Sequence, residues 1–281
     1  MAKMEPMTYL EREPGAGLRP WVRSLWYARG MNFAHPRDRI LPTGRAQVIV
    51  NLARDFLVDC QEGRPERTMA PALVVGQRSA FEIIETSDMA NLMGIVFEPG
   101  ALPVLLGDAA DRVTNGYVAL DDVCRGAGAL RDRLREVQGA EARLRCLEAF
   151  LRERIAARVS GRRGAMHPAV EFALGELGRR PAVARVAEVA RSTGWSERRF
   201  GQIFREEVGF APKVWCRIQR FQRVVRQLHA GVAVEWPELA LACGFYDQAH
   251  LANEFRAFAG VSPTSYTAAQ GRVWANHLRV E

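Results

Sequence analysis

The sequence predicts an α+β protein in two parts. A β-rich barrel or sandwich with attached helices comes first, then an all-helical region of two helix-turn-helix units. Three observations carry this. Phe-Arg-x-x-x-Gly-x-x-Pro-x-x-aromatic is written twice, as FREEVGFAPKVW from Phe204 and FRAFAGVSPTSY from Phe255, 51 residues apart. The first 120 residues alternate short Val/Ile-rich runs with Gly, Pro and Asp breaks. From about residue 101 apolar residues recur instead at three- and four-residue intervals, the helical period.

In the N-terminal half, LPTGRAQVIVNLARDFLVDC (41–60) turns at Thr43-Gly44 and continues as a Val-Ile-Val run and a second apolar segment. ALVVGQRSAFEIIET (72–86) and NLMGIVFEPGA (91–101) repeat the style, and short strands at this spacing suggest a barrel or sandwich. ALPVLLGD, YVALDDVCRGAGALRDRLREV and EARLRCLEAFLRERIAARV read as amphipathic helices. Asp121-Asp122 reads as a helix N-terminal cap rather than a catalytic carboxylate pair. VSGRRGAMHP (159–168) is Gly- and Arg-rich and ends in a proline that can start a helix, so the chain divides into 1–162 and 163–281.

Each copy of the repeat is longer than its best-matching core. VAEVARSTGWSERRFGQIFREEVGFAPKVW (186–215) and PELALACGFYDQAHLANEFRAFAGVSPTSY (237–266) each read as a short helix, a glycine turn, a second helix and a Gly-x-x-Pro exit. Gly194 and Gly244 stand where a helix must end in a left-handed conformation. Ser196 and Asp247 are placed to cap the second helix. Phe200, Ile203 and Phe204, and Leu251 and Phe255, give that helix a buried stripe; Gly209 and Gly260 end it, and Pro212 and Pro263 open the next helical turn. This is the helix-turn-helix pattern. The outward positions of the first such helix are Glu197, Arg198, Gly201, Gln202 and Arg205, and Arg and Gln are side chains that read base edges bidentately.

Composition bounds the chemistry. The chain has 281 residues, 48% of them apolar, enough for two cores. A net charge of +7 and a pI of 9.6 suit a polyanionic partner, and basic residues well outnumber acidic ones between Glu176 and Arg226. The five cysteines, Cys60, Cys124, Cys146, Cys216 and Cys243, show no C-x-x-C spacing and read as idle thiols in a reducing compartment. With neither a signal-peptide core nor a run of ~20 apolar residues, the expectation is a soluble, cytoplasmic protein without membrane association. Residues 1–160 contain one histidine, His35, read as an exposed loop residue, so neither a metal nor a cofactor is expected. No nucleophile elbow, phosphate-binding loop or dinucleotide fingerprint is present, which argues against an enzyme.

At ACGFYDQAHLANEFRAFAGVSPTSY the C-terminal ~105 residues resemble the DNA-binding domain of AraC/XylS-family transcription regulators. The resemblance implies a linker helix over about Ala211 to His229 and double-stranded DNA as the partner. It implies recognition helices about one DNA turn apart, roughly 34 Å. Arg198 and Gln202 match the family's base-contact positions, with Gly201 at another; Gln248, Ala249 and Asn253 match in the second copy. Gln and Asn suit adenine, and Ala249 suits a thymine methyl. Arg205 and Arg256 are better placed for phosphates, and Ser196, Arg199 and His250 complete the candidate DNA-binding set. WVRSLWY, LPTGRAQVIVNL and ALVVGQ resemble the cupin-like sensor domain of a family subgroup, although Pro42-Thr43-Gly44 stands where that subgroup has Pro-Asp-Gly. Trp26, Arg45, Gln47, Asn51 and Gln77 are the candidate ligand-binding residues, for a small-molecule effector held without metal. RNA polymerase is a further candidate partner, as is a second copy of the chain docking through helices between 127 and 158. Two other readings stay open: a DNA-processing protein of the adaptive-response methyltransferase kind, for which neither Cys60 nor Cys124 has a Pro-Cys-His context, and a helical interaction module.

Overall fold

Period-two alternation in the first half resolves into two antiparallel sheets in the computed structural model, which describes residues 7–31, 33–61, 63–159, 166–179, 186–231, 235–269 and 274–280. The expected division at 162 lies outside the described residues. The strands are β1 (Thr8–Arg12), β2 (Val22–Arg29), β3 (Arg37–Ile40), β4 (Gln47–Asn51), β5 (Leu57–Asp59), β6 (Arg67–Met69), β7 (Ala72–Val75), β8 (Glu82–Glu85), β9 (Asn91–Phe97), β10 (Tyr117–Ala119) and β11 (His277–Arg279). One sheet has the order β1-β2-β9-β4-β7-β10 and the other β11-β3-β8-β5-β6.

Alternate residues of the first sheet serve two cores, because successive side chains of a strand point to opposite faces. Leu25, Tyr27, Val48, Val50, Val74, Met93, Ile95 and Phe97 pack with helices α1 (Leu102–Leu106), α2 (Leu120–Val123), α3 (Ala127–Glu136) and α4 (Ala140–Val159). Ala28, Leu73, Val75 and Leu92 form a second core with Leu57 of the other sheet, joined by half-buried Trp26, Ile49 and Ile84. Trp26 pairs across the ladder with Gly94, and a Cβ there would fall 2.5 Å from the indole. The glycine therefore makes room for the ring.

Two expectations are corrected here. Leu144, Leu147, Leu151 and Ile155 of α4 are buried against the sheet, so the apolar stripe of that helix is not available to a second copy. Asp121 does not cap its own helix; its Oδ1 accepts the Gly128 N–H at 2.8 Å, at the first turn of α3.

The second half is helical: α5 (Pro168–Arg179), α6 (Val186–Ser192), α7 (Glu197–Val208), α8 (Pro212–His229), α9 (Trp236–Cys243), α10 (Gln248–Ala259) and α11 (Pro263–Ala268). Proline opens α8 and α11 at the first turn, where its missing N–H costs nothing. A single core runs through both repeat copies. Phe200, Phe204 and Val208 of α7 and Leu251, Phe255 and Phe258 of α10 meet Trp215, Ile218, Phe221, Val224 and Val225 of α8.

That core also takes Leu41 from the N-terminal half and Leu278 from the tail. The tail strand β11 pairs antiparallel with β3, so the last described residues return to the first domain. His35, expected as an exposed loop residue, is half-buried there, with Nε2 2.6 Å from Asp38 Oδ1; His277 Nδ1 lies 3.4 Å from the other carboxylate oxygen. Burial alone would raise the Asp38 carboxyl, but its bonds with His277 and His35 outweigh that and hold it below the ordinary range.

Candidate nucleic-acid interface

The two copies of the repeat fold alike because the same local signals recur. Gly194 and Gly244 take φ of 76° and 85°, a left-handed turn that costs other residues about 1–2 kcal/mol. Ser196 then caps α7, its hydroxyl accepting the Arg199 N–H at 3.3 Å. Asp247 caps α10 by accepting the His250 N–H at 2.7 Å. At the far ends Gly209 and Gly260 donate to Arg205 and Arg256 carbonyls, both at 2.8 Å. Two recognition helices of equal length thus begin and end in the same way.

The linker helix α8 grips the second unit at two points. Arg217 holds Glu254 with two 2.8 Å bonds, and Arg220 Nη1 donates to the Gly244 carbonyl at the end of α9. In the first unit, Glu207 near the end of α7 accepts the His167 N–H just before α5, at 3.0 and 3.1 Å.

Nine of the ten candidate DNA-contacting residues are exposed: Ser196, Arg198, Arg199, Gln202 and Arg205 on the first unit, and Gln248, Ala249, Asn253 and Arg256 on the second. Arg198, Arg199, Arg205 and Arg256 pair with no carboxylate among the described residues. Their charge is therefore free for an anionic partner. Gln202 Nε2 bonds Glu206 at 2.8 Å, a helical i,i+4 contact that a base edge would have to displace. His250 departs from expectation. It is half-buried, its Nδ1 accepts the Tyr246 N–H at 3.3 Å, and its ring stacks on Tyr246. The buried Phe245 ring, edge-on at 5.4 Å, holds it on the inner side. Tyr246 itself is 87% exposed at the mouth of the turn, a feature that its place between Gly244-Phe245 and the Asp247 cap makes legible only afterwards.

The five candidate ligand residues do not gather at one place. Trp26 joins the core between the sheets, and Gln47 lies on that face because it pairs directly with Val75. Asn51 is fully buried and folds back on its own turn, Oδ1 accepting from Ala53 and Arg54 and Nδ2 donating to the Phe56 carbonyl. Arg45 lies 3.6 Å from Glu98, and burial lowers its pKa. Gln77 reaches into the other domain, Nε2 donating to the Val208 carbonyl at 2.6 Å. Asn51 and Gln77 thus make structural hydrogen bonds within the fold. A cleft of about 290 Å³ does lie elsewhere, between α1, α2 and α4, and none of the five lines it.

Loops of the N-terminal half dock on the helical domain. Gln222 of α8 donates to the Pro42 carbonyl at 2.8 Å, and Thr114 donates to the Gly209 carbonyl at 2.8 Å. Their partners lie over 90 residues away, and no local pattern signals them. Cys60 and Cys216 are buried and each is pushed up to about 11, chiefly by desolvation; burial also raises Cys124 and Cys243. Such thiols are protonated at neutral pH and poor nucleophiles. Among the described residues no cluster of His, Cys, Asp or Glu is suited to a metal ion, and no helix is long and apolar enough to cross a membrane.

Comparison with known proteins places this geometry. Residues 189–269 match a helix-turn-helix domain, and residues 10–119 match a domain of unknown function (DUF6597). The DNA-binding domain of AdpA, a global transcriptional factor solved with a target DNA, is 31% identical over 37% of this chain and 98% of its own, with a TM-score of 0.34. The C-terminal domain of AraT, a response regulator from Geobacillus stearothermophilus, is 18% identical over 38% of this chain and 89% of its own, with a TM-score of 0.36. ToxT from Vibrio cholerae, solved with an unsaturated fatty acid, is 10% identical over 95% of this chain and 97% of its own, with a TM-score of 0.46. No curated protein matches the chain. The duplicated, glycine-bounded helix-turn-helix and its matching family model identify the class, a helix-turn-helix DNA-binding transcription regulator. Residues 189–269 thus form an AraC-type helix-turn-helix domain.

Proposed function

We propose that the chain reads two adjacent major-groove segments on one face of a duplex, α7 entering one and α10 the other, so that its site need not be palindromic. The observation that carries this reading is the pair of equal helices, each capped at its start and each presenting unpaired basic or amide side chains outward. Arg198 and Gln202 serve as base-reading side chains in the first groove, Gln248, Ala249 and Asn253 in the second, with Arg199, Arg205 and Arg256 on phosphates. Gly201 offers nothing at its base pair, which relaxes reading there.

The N-terminal domain serves as the controlling half, responding to a small ligand or a partner. The support is its contact with both recognition helices and with α8, which gives it a route to alter DNA affinity if its two states dock differently. Trp26 and Gln47 remain its candidate contacts between the sheets. Selection of bound duplexes from a randomised pool, followed by footprinting, tests the DNA reading: two protected elements about one helical turn apart are expected, and a single short element would overturn it.

A further inference from the structure

The six residues Gly76–Phe81, between β7 and β8, touch both recognition helices at equivalent points of the repeat. At one end of this segment Gln77 Nε2 donates to the carbonyl of Val208, the last residue of α7. At the other end the Phe81 N–H donates to the Phe258 carbonyl near the end of α10, at 2.9 Å. The Phe81 ring also lies against Gly260, where a Cβ would come within 2.5 Å of it. A Cβ at Gly209 would likewise meet Gln77 at 2.5 Å. Gly209 and Gly260 are the same position in the two copies. Both sets of contacts fall where helix carbonyls lack intrahelical partners and carry the negative end of the dipole.

The segment is held firmly from behind. A Cβ at Gly76 would lie 1.7 Å from the Val113 carbonyl oxygen, so only glycine permits this approach. Asn115, at φ 57°, donates its N–H to the Gln77 carbonyl and accepts the Ser79 N–H at 2.8 Å. Arg78 pairs with Glu82 at 2.9 Å and lies over the Tyr117 ring. Thr114 of the same backing turn adds its bond to Gly209.

We propose that this segment is a gauge that fixes the separation of the two recognition helices, with Gln77 and Phe81 as positioning residues for DNA reading. The inference rests on the two-groove reading above. Two linked modules gain from each other only when geometry lets both engage at once. The grooves of a duplex stand at fixed intervals, so the interval between α7 and α10 decides which sites are bound. One stiff segment that touches both helix ends sets that interval directly.

The test uses the full chain with spin labels at Glu197→Cys on α7 and Ala257→Cys on α10, both exposed, in a Cys146→Ser background; the other four native thiols are buried. Gln77→Met keeps side-chain length without the donor, and Phe81→Ala uncovers Gly260; Gln77→Glu and Phe81→Leu replace any variant whose melt shows it unfolded. A single narrow distance is expected in the parent, and a broadened or displaced one in the variants. Unlabelled parent should select bipartite sites of one spacing, and the variants should accept spacings a base pair or more longer or shorter. Unchanged distances in folded variants overturn the gauge whatever the DNA result. Responsive distances in a parent that selects only single-element sites support the gauge and overturn the two-groove reading.

Discussion

Arg217 of the linker helix holds Glu254 of the second recognition helix through two parallel 2.8 Å bonds, from Nε and Nη2 to the two carboxylate oxygens. This fork is the geometry a guanidinium offers a carboxylate. It fixes α10 about its own axis and so fixes which residues of that helix face outward. The bonds from Arg217 hold the Glu254 carboxyl below its ordinary range, against a smaller opposing effect of burial.

Glu254→Gln should therefore cost about 1 kcal/mol of stability, the lower end for a charged pair because Arg217 is 42% exposed. A depressed carboxylate contributes above its unfolded pKa, about 4.3, and loses that contribution as pH falls through the folded value. Thermal melts between pH 7 and pH 3 should show the parent losing its advantage over the variant in the acid range. Parallel curves would show the pair to be energetically silent.

Two glycines on the first unit should respond oppositely to alanine. At Gly201 a Cβ meets nothing within 4 Å and the backbone is helical, so Gly201→Ala should stabilise by about 1 kcal/mol. At Gly194 a Cβ also meets nothing, but φ is 76°, so Gly194→Ala should destabilise by about 1 kcal/mol. Denaturant melts of the two variants check this, and equal signs would refute the backbone argument.

Arg198 stands two residues after the Ser196 cap, exposed and without a carboxylate partner among the described residues. Arg198→Ala should weaken binding to a selected site by about 1–3 kcal/mol and relax preference at one or two base pairs. Arg205→Ala should weaken binding evenly across sequences and lower its salt dependence. If randomised-site selection returns the parent profile for the Arg198 variant, that residue takes no part in base reading.

The repeat was legible in the sequence because its determinants are local. Gly194, Ser196, Gly209, Pro212 and their counterparts each act within one turn of chain, and each adopts the conformation that its residue type favours. Strands β4, β5, β7, β8 and β9 were likewise visible as Val/Ile-rich runs, whereas Tyr117–Ala119, read as part of a helix, forms β10. The second face of those strands was not, because alternate residues of β7 serve two cores and are apolar on both. Gln77 illustrates the larger gap. A glutamine after a strand looks like a polar wall residue, and its partner at Val208 is set only when the domains meet. The tail His277–Arg279 carried no signal at all, since three residues are too few for a period to emerge.

That tail bears on whether the DNA-binding half can stand alone. Its helices share one core, which argues that a fragment from Gly164 to Glu281 folds. Yet the fragment loses Leu41 from that core, the β3 partner of β11, and the Phe81 and Gln77 contacts at the ends of α10 and α7. Leu278 is 5% exposed only while the tail stays paired. The fragment should be helical and bind the site selected by the full chain, but melt below the full chain. Leu278→Ala should cost the full chain about 2–3 kcal/mol and the fragment much less, because there the strand has no partner to hold the side chain in place. Circular dichroism melts and gel-shift titrations of both forms decide this. A folded fragment that binds none of those sites would show that the N-terminal half is required for DNA reading itself, and equal losses at Leu278 would show that the tail docks without β3.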